Sequence, residues 1–309
     1  MKGCKNEVVY EFPPFLRVYK DGREERLLVT KFVPPSIEDP KTSVSSKDVI
    51  IVPETGVSAR LYFPKTTNYP QEQNKKLPLL IYFHGGAFCI ESAFSPTYHN
   101  YLNLLVGEAN VVALQGPESW FNDHVDFDRV FLAGISAGAN ISHNMAMRAR
   151  IDHSAQLSSR VKFLGVVLVH PYFWGVEPIG SEENDMDKKV RMDKLWSIIC
   201  PSTTMDCDDP LVNPATDPNF SSLGCNRVLI CVAEKVLFRD RGWFYYETLR
   251  KSGWRGVVEI MESEGEDHVF HLFNPNSGKA VKMMKQLVSF LNQDKVPCRL
   301  CFLSFVMVF

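Results

Sequence analysis

Apolar residues in this chain gather in short blocks: Leu77–Phe83, Val130–Ala133, Phe163–Val169, Arg227–Ala233 after its first residue, and Val257–Met261, which Glu259 interrupts. A strand buried on both faces reads this way, without the alternation of a half-exposed sheet. A shorter block, Asn110–Leu114, reads as a further strand. Helical spacing falls between the blocks: Ser95 to Glu108, a stretch opening at Ser136 with Ile141 and Met145 on its buried stripe, and Lys279 to Leu291. Strands alternating with helices predict the α/β class, a mostly parallel sheet flanked by helices. Val49–Val52 and Val57–Phe63 flank Glu54-Thr55-Gly56 and read as a hairpin. Residues 177–218 are helical in places, with Trp196, Ile198 and Ile199 as an apolar stripe. Trp196 fits core packing and a pocket wall equally well. Residues 1–45 carry little regular patterning beyond a turn at Asp21-Gly22, and Asn68–Lys76 is a polar loop.

Two segments strain this pattern. Residues 115–128 must carry the chain from one parallel strand to the next. A crossover with its helix takes at least ~10–12 residues, so that helix can only be a stub and one sheet face is left thinly covered. The segment reads as shortened, by an internal loss or an alternative splice. The tail, residues 297–309, is strongly apolar, too short for the ~20 residues that span a bilayer, and an aggregation hazard.

At 309 residues and 45% hydrophobic, the chain can bury one large core, and we expect a single domain over 1–309. A net charge of −2 argues against nucleic acid or an anionic membrane as partner. The first residues lack the apolar run of a secretory signal. Eight scattered cysteines, among them Cys89 and Cys231, fit reduced thiols in the cytoplasm better than a disulfide framework. Cys298 and Cys301 have redox or metal spacing, but no second pair supports them.

The chemistry sits where strands end. Gly134-x-Ser136-x-Gly138 follows one apolar block and opens a helix. Glycines on either side allow a sharp strand-to-helix turn that lifts the serine hydroxyl to a helix N-terminus. Leu77–Phe83 runs into His84-Gly85-Gly86-Ala87-Phe88, where adjacent glycines free backbone amides to point at one spot. An acylated serine needs such donors for its oxyanion. The candidates are the amides of Gly85, Gly86 and Ala137. His268, in Asp267-His268-Val269-Phe270, follows the last apolar block and precedes the last helix. Serine first and histidine last is the chain order of α/β-hydrolases.

With these pieces the chain resembles the plant carboxylesterases of the hormone-sensitive-lipase-like branch of the α/β-hydrolase fold. The likeness extends from Pro13-Pro14-Phe15 to Phe290-Leu291. It is carried by the glycine loop, the serine elbow, His170-Pro171-Tyr172-Phe173-Trp174, Cys207-Asp208-Asp209-Pro210-Leu211, Val232-Ala233-Glu234-Lys235, Arg239-Asp240-Arg241-Gly242 and Glu266–His271. The resemblance implies an N-terminal arm over about 1–45 and an insertion near 177–218 that together cap the site, a core over 46–296, and a tail at 297–309 outside the family pattern. It also exposes a departure. The family places the aspartate of its catalytic triad directly after Ala-Glu-Lys, where this chain has Val236. Asp240, Glu234 and Asp267 are the nearby substitutes, and Asp240 falls in the Arg-Asp-Arg-Gly pattern, where a structural role fits better. Ile135 replaces a second aspartate usual before the nucleophile, a change that related folds tolerate.

The resemblance implies hydrolysis of small uncharged carboxylic esters by Ser136 and His268, with no cofactor or metal and no partner beyond the small-molecule substrate. Two other functions share the fold: ligand binding, as in gibberellin receptors, and lyase chemistry on plant metabolites. The receptors have lost the histidine and the dehydratases typically carry threonine for the serine, whereas His268 and Ser136 are both present.

Overall fold

The computed structural model describes residues 6–28, 30–65, 76–114, 124–151 and 163–293. Eleven strands are found among them: β1 (Val8–Phe12), β2 (Leu16–Tyr19), β3 (Glu24–Arg26), β4 (Ser45–Val52), β5 (Val57–Phe63), β6 (Leu77–Phe83), β7 (Val112–Leu114), β8 (Val125–Ile135), β9 (Phe163–Val169), β10 (Arg227–Ala233) and β11 (Val257–Ser263). The helices are α1 (Pro96–Ala109), α2 (Ala137–Ile151), α3 (Met186–Ile199), α4 (Arg239–Lys251), the short α5 (Phe270–Phe273) and α6 (Gly278–Asn292). Eight strands form one sheet in the order β11-β10-β9-β8-β6-β7-β5-β4. Neighbours from β7 to β11 pair in parallel, while β4 with β5 and β5 with β7 pair antiparallel. The mostly parallel sheet flanked by helices follows the expectation.

The apolar blocks explain the layers. Every residue of β10 is buried, as a strand covered on both faces requires. On one face Leu80, Phe131 and Leu229 pack with Leu105 of α1 and Leu287 and Phe290 of α6. On the other, Leu132, Leu168 and Ile230 pack with Ala139 of α2 and Tyr245 and Leu249 of α4. A third, smaller cluster, of Leu61, Leu77, Leu79, Val112, Val125 and Val130, has no member from any described helix. All six are nonetheless buried, so this face is covered and the thin cover expected from the short crossover is not seen. Residues 115–123, where most of that crossover falls, lie outside the described residues, as does the tail from 294 onward. Residues 125–128, which the sequence assigned to the crossover, belong instead to β8: Val125 pairs with Leu77, and the register then shifts so that Val130 meets Leu79.

The arm has its own order, a three-stranded antiparallel sheet of β1, β2 and β3. Its Tyr10 is buried, and the Lys194 ammonium of α3 lies 5.2 Å from the Tyr10 ring. The arm and the inserted helix therefore pack on each other.

Candidate active site

The carboxyl ends of β6, β8, β9, β10 and β11 lie along one sheet edge, and the proposed site residues follow them directly. Pairing of Phe83 with Gly134, of Ile135 with Val169, and of Ala233 with Ser263 aligns those ends. Ligands of parallel sheets gather at this edge. A surface depression of about 580 Å³, lined by Ser221, Ser222, Trp254 and Arg255, is built from residues that precede β10 and β11. It therefore opens on the opposite edge, away from Ser136.

Ser136 sits at φ 56°, a left-handed conformation that costs an ordinary side chain energy and marks a functional turn. The surrounding glycines make that turn sterically feasible. A Cβ at Gly134 would stand 2.2 Å from the Gly138 carbonyl, and one at Gly138 would stand 2.1 Å from the Phe83 carbonyl oxygen. The Ser136 amide donates to the Val169 carbonyl at 2.9 Å, and its carbonyl accepts from the Tyr172 amide at 3.1 Å. Residues 169–172 are thereby tied to the elbow. They also hold the histidine loop, because the Val269 amide donates to His170 Nδ1 at 3.0 Å and the His170 and His268 rings lie 5.6 Å apart. Ser136 and the His268 loop, far apart in sequence, are thereby both tied to the segment 169–172.

The glycine loop has one engaged amide and two open ones. The Gly85 amide donates to the Tyr98 hydroxyl of α1 at 2.9 Å. This corrects the expectation for Gly85, whose N–H is already held by a phenol. Among the described residues, the amides of Gly86, Ala87 and Ala137 donate to no other residue. Gly86 is required sterically, since a Cβ there would lie 2.2 Å from the Ile90 carbonyl oxygen. Ala87 and Phe88 continue the loop at φ 50° and 63°. Phe88 stands edge-on to Tyr172 and Trp196, with centroids 5.4 and 6.2 Å away. Trp196 is thus both buried packing and a link from the cap insertion to the glycine loop.

The place of the acid is apolar. Val236 is buried in the turn after β10. Its neighbours Glu234 and Lys235 donate their amides to the Ser263 and Glu266 carbonyls, so the turn lies against the strand that leads to His268. His268 Nδ1, the atom an orienting carboxylate would hold, is buried and has no hydrogen-bond partner. None of the three substitutes reaches it. Asp240 accepts from the Ser181 amide and hydroxyl, both at 2.7 Å, and from Arg239 at 2.9 Å. Burial raises its pKa, yet these hydrogen bonds and the Arg239 charge hold it below the ordinary carboxylate value. Beside it, Arg241 forms a buried ion pair with Glu182 at 2.7 Å and donates to the Glu177 carbonyl at 2.6 Å. Asp240 and Arg241 therefore fasten the start of the cap insertion to α4. Asp267 is exposed and accepts the backbone amide of His268 at 2.6 Å, and Glu234 accepts from the Gly265 amide.

Burial pushes the His268 pKa down to about 4, with only the Asp267 charge opposing. Burial and neighbouring imidazoles hold His170 well below the ordinary value and push His271 down to about 3. At neutral pH the site holds three uncharged imidazoles. An uncharged His268 can accept a proton, but its imidazolium gains little support, so the base is weak. Sequence reasoning passed over His170, His271 and Tyr98. The first two stood inside motifs quoted for the resemblance, while nothing in the sequence marks Tyr98.

Comparison with known proteins identifies the fold and the family. A family model described as alpha/beta hydrolase fold matches residues 115–272. "Probable carboxylesterase 2" of Arabidopsis thaliana is 44% identical over 322 residues, covering 95% of this chain and 99% of the relative. That alignment is longer than the 309-residue chain, so the relative carries residues absent here. The "2-hydroxyisoflavanone dehydratase" of Glycine max is 38% identical, over 92% of this chain and 99% of its own. Among solved structures, a hyperthermophilic esterase from the archaeon Pyrobaculum calidifontis superposes with a TM-score of 0.62 at 22% identity, over 80% of this chain and 84% of that one. The chain belongs to the α/β-hydrolases, in the plant carboxylesterase family.

Proposed function

We propose that this chain is a carboxylesterase that cleaves small uncharged esters through an acyl-enzyme at Ser136, at a rate limited by the missing acid. His268 takes the Ser136 proton and returns one to the leaving alcohol. Gly86 and Ala137 donate to the oxyanion, and Ala87 takes the part expected of Gly85. The half-buried ring of Phe88, backed by the buried Tyr172 and Trp196, offers apolar surface to an uncharged substrate. The observation that carries the proposal is the convergence of a left-handed Ser136, open loop amides and His268 at one sheet edge.

The unpartnered His268 Nδ1 supports weak turnover and keeps a second function in view, ligand binding with little hydrolysis. The domain is read as one unit over residues 1–309, its site capped by the arm and the insertion. No cofactor, nucleic acid or membrane is assigned to it; among the described residues no helix is long and apolar enough to cross a membrane. Five free cysteines among those residues suit a reducing compartment such as the cytoplasm. The test is turnover of p-nitrophenyl acetate, whose good leaving group asks little of the acid. Slow saturable hydrolysis that disappears in Ser136→Ala is expected. Hydrolysis unchanged by Ser136→Ala would refute the assignment.

A further inference from the structure

The two peptide units that meet at Gly85 are each held from a different direction. In the first, the Gly85 amide donates to the Tyr98 hydroxyl at 2.9 Å. The carbonyl of that unit, on His84, faces Gly138, where a Cβ would stand 2.5 Å from its oxygen. The unit is therefore wedged between α1 and the start of α2. In the second, the Gly85 carbonyl oxygen lies 2.7 Å from His84 Nδ1. A carbonyl oxygen only accepts, so Nδ1 carries a proton and donates it. Across a trans peptide the C=O and N–H point in opposite directions, and among the described residues only Pro13-Pro14 is cis. Holding the Gly85 carbonyl toward His84 therefore turns the Gly86 N–H to the other side, where it donates to no described residue. Gly85 also lies against the nucleophile. A Cβ on it would stand 3.4 Å from Ser136 Cβ, 2.9 Å from the Ile135 carbonyl oxygen and 2.7 Å from the Tyr98 hydroxyl, so the loop passes Ser136 as bare backbone.

We propose that Tyr98 and His84 are positioning residues that fix the direction of the Gly86 amide, the assigned oxyanion donor. This rests on the reading of Ser136 as the nucleophile and Gly86 as a donor to its oxyanion. Such a donor is effective because its direction is set before the charge develops, so that nothing need reorganise during attack. Adjacent glycines allow the close approach but leave the loop little stiffness of its own. The phenol and the imidazole supply that stiffness. Tyr98 is buried on α1, whose Leu102 and Leu105 pack in the main core, so its hydroxyl is a rigid anchor. The His84 bond also polarises the Gly85–Gly86 peptide, which strengthens the Gly86 N–H as a donor. Burial lowers the His84 pKa, and the bond to Gly85 opposes this. At pH 8 the ring is uncharged, with its one proton on Nδ1.

Two readouts test this. Long-range ¹H–¹⁵N correlation spectra of the ¹⁵N-histidine-labelled protein at pH 8, with His84 assigned by its loss in His84→Asn, should show Nδ1 protonated and Nε2 unprotonated. The reverse pattern, or signals averaged between tautomers, would overturn the proposal. The second readout is the kinetics of p-nitrophenyl acetate hydrolysis. His84→Asn puts an amide nitrogen where Nδ1 stands and keeps the donor, whereas His84→Leu removes it. Loss of a whole oxyanion donor costs about 10²–10³ in kcat, so a loosened one should place His84→Leu about 10-fold below His84→Asn, with KM little changed. Tyr98→Phe keeps the ring in the core and should lower kcat by about 10-fold at similar KM. Equal kcat in folded His84→Asn and His84→Leu would overturn the part given to His84. An unchanged kcat in Tyr98→Phe, or a rise that marks the freed Gly85 amide as a donor, would overturn the part given to Tyr98. Failure of the underlying reading would show separately, as hydrolysis that persists in Ser136→Ala, while the spectra need no turnover and still report the grip on Gly85.

Discussion

Placing an aspartate at position 236 should restore much of the missing catalysis. Valine and aspartate are similar in size, so Val236→Asp asks the buried turn to accept a charge rather than extra volume. An unpaired carboxylate there would cost several kcal/mol, but the unpartnered His268 Nδ1 is the partner such a group needs. The gain can be set from the histidine. Its pKa is pushed down to about 4, against an ordinary value of about 6.5. Returning it toward that value stabilises the imidazolium by about 2–3 kcal/mol, after discounting for the side of the ring open to solvent, or roughly 10² in rate. Fixing the ring and its tautomer adds to this, and loss of the acid in a well-studied protease triad costs on the order of 10⁴. We therefore expect kcat for p-nitrophenyl acetate to rise by roughly 10²–10⁴ in Val236→Asp, with KM changed much less. Stopped-flow release of p-nitrophenolate, with a circular-dichroism melt to show that the variant folds, gives the number. A folded variant with unchanged kcat would refute the reasoning that position 236 limits the enzyme.

Further outcomes follow from the same contacts. Asp240→Ala should leave kcat within a few-fold while lowering stability by about 1–3 kcal/mol, because the Ser181 amide and hydroxyl lose their acceptor; collapse of activity in a stable variant would mean Asp240 is the acid after all. Glu182→Gln should cost about 3–5 kcal/mol in a denaturant titration, since it leaves the Arg241 guanidinium buried without its counter-charge; a neutral result would show the cap is not fastened there. His143 and His271 are pushed by burial to about 3 and His268 to about 4, so in each the folded chain binds its proton more weakly than the unfolded chain. Their neutral forms favour folding fully above pH 6.5, and that stability is lost as pH falls from 6.5 toward 4, by about 1.4 kcal/mol per pH unit for each histidine. A urea midpoint constant from pH 7 to 4.5 would contradict the burial of these rings.

Much of this architecture was legible because parallel strands buried on both faces leave unbroken apolar blocks, as β6, β9 and β10 do. The arm left no such trace. β3 is Glu24-Glu25-Arg26, exposed throughout, and β1 exposes Val8 and Val9. Their pairing rests on cross-strand charge, with Arg17 of β2 opposite Glu11 on one side and Glu25 on the other. Ion pairs of this kind have no period to read. Ser136, Gly86, Ala137 and His268 could be singled out as candidates because the elbow, the glycine loop and the chain order each have a local signature. The engagement of Gly85 by Tyr98, and of His170 by Val269, joins residues from different elements, and only the folded chain shows them.

The nucleophile itself can be tested without any assumption about rate. A fluorophosphonate reports a serine activated within an oxyanion site and tolerates slow chemistry when incubation is long. Intact mass after exhaustive labelling, followed by peptide mapping, should show one phosphonyl group on the peptide bearing Ser136, absent in Ser136→Ala and retained in Ser142→Ala. An adduct that survives loss of Ser136, or a folded protein that never labels, would contradict the account.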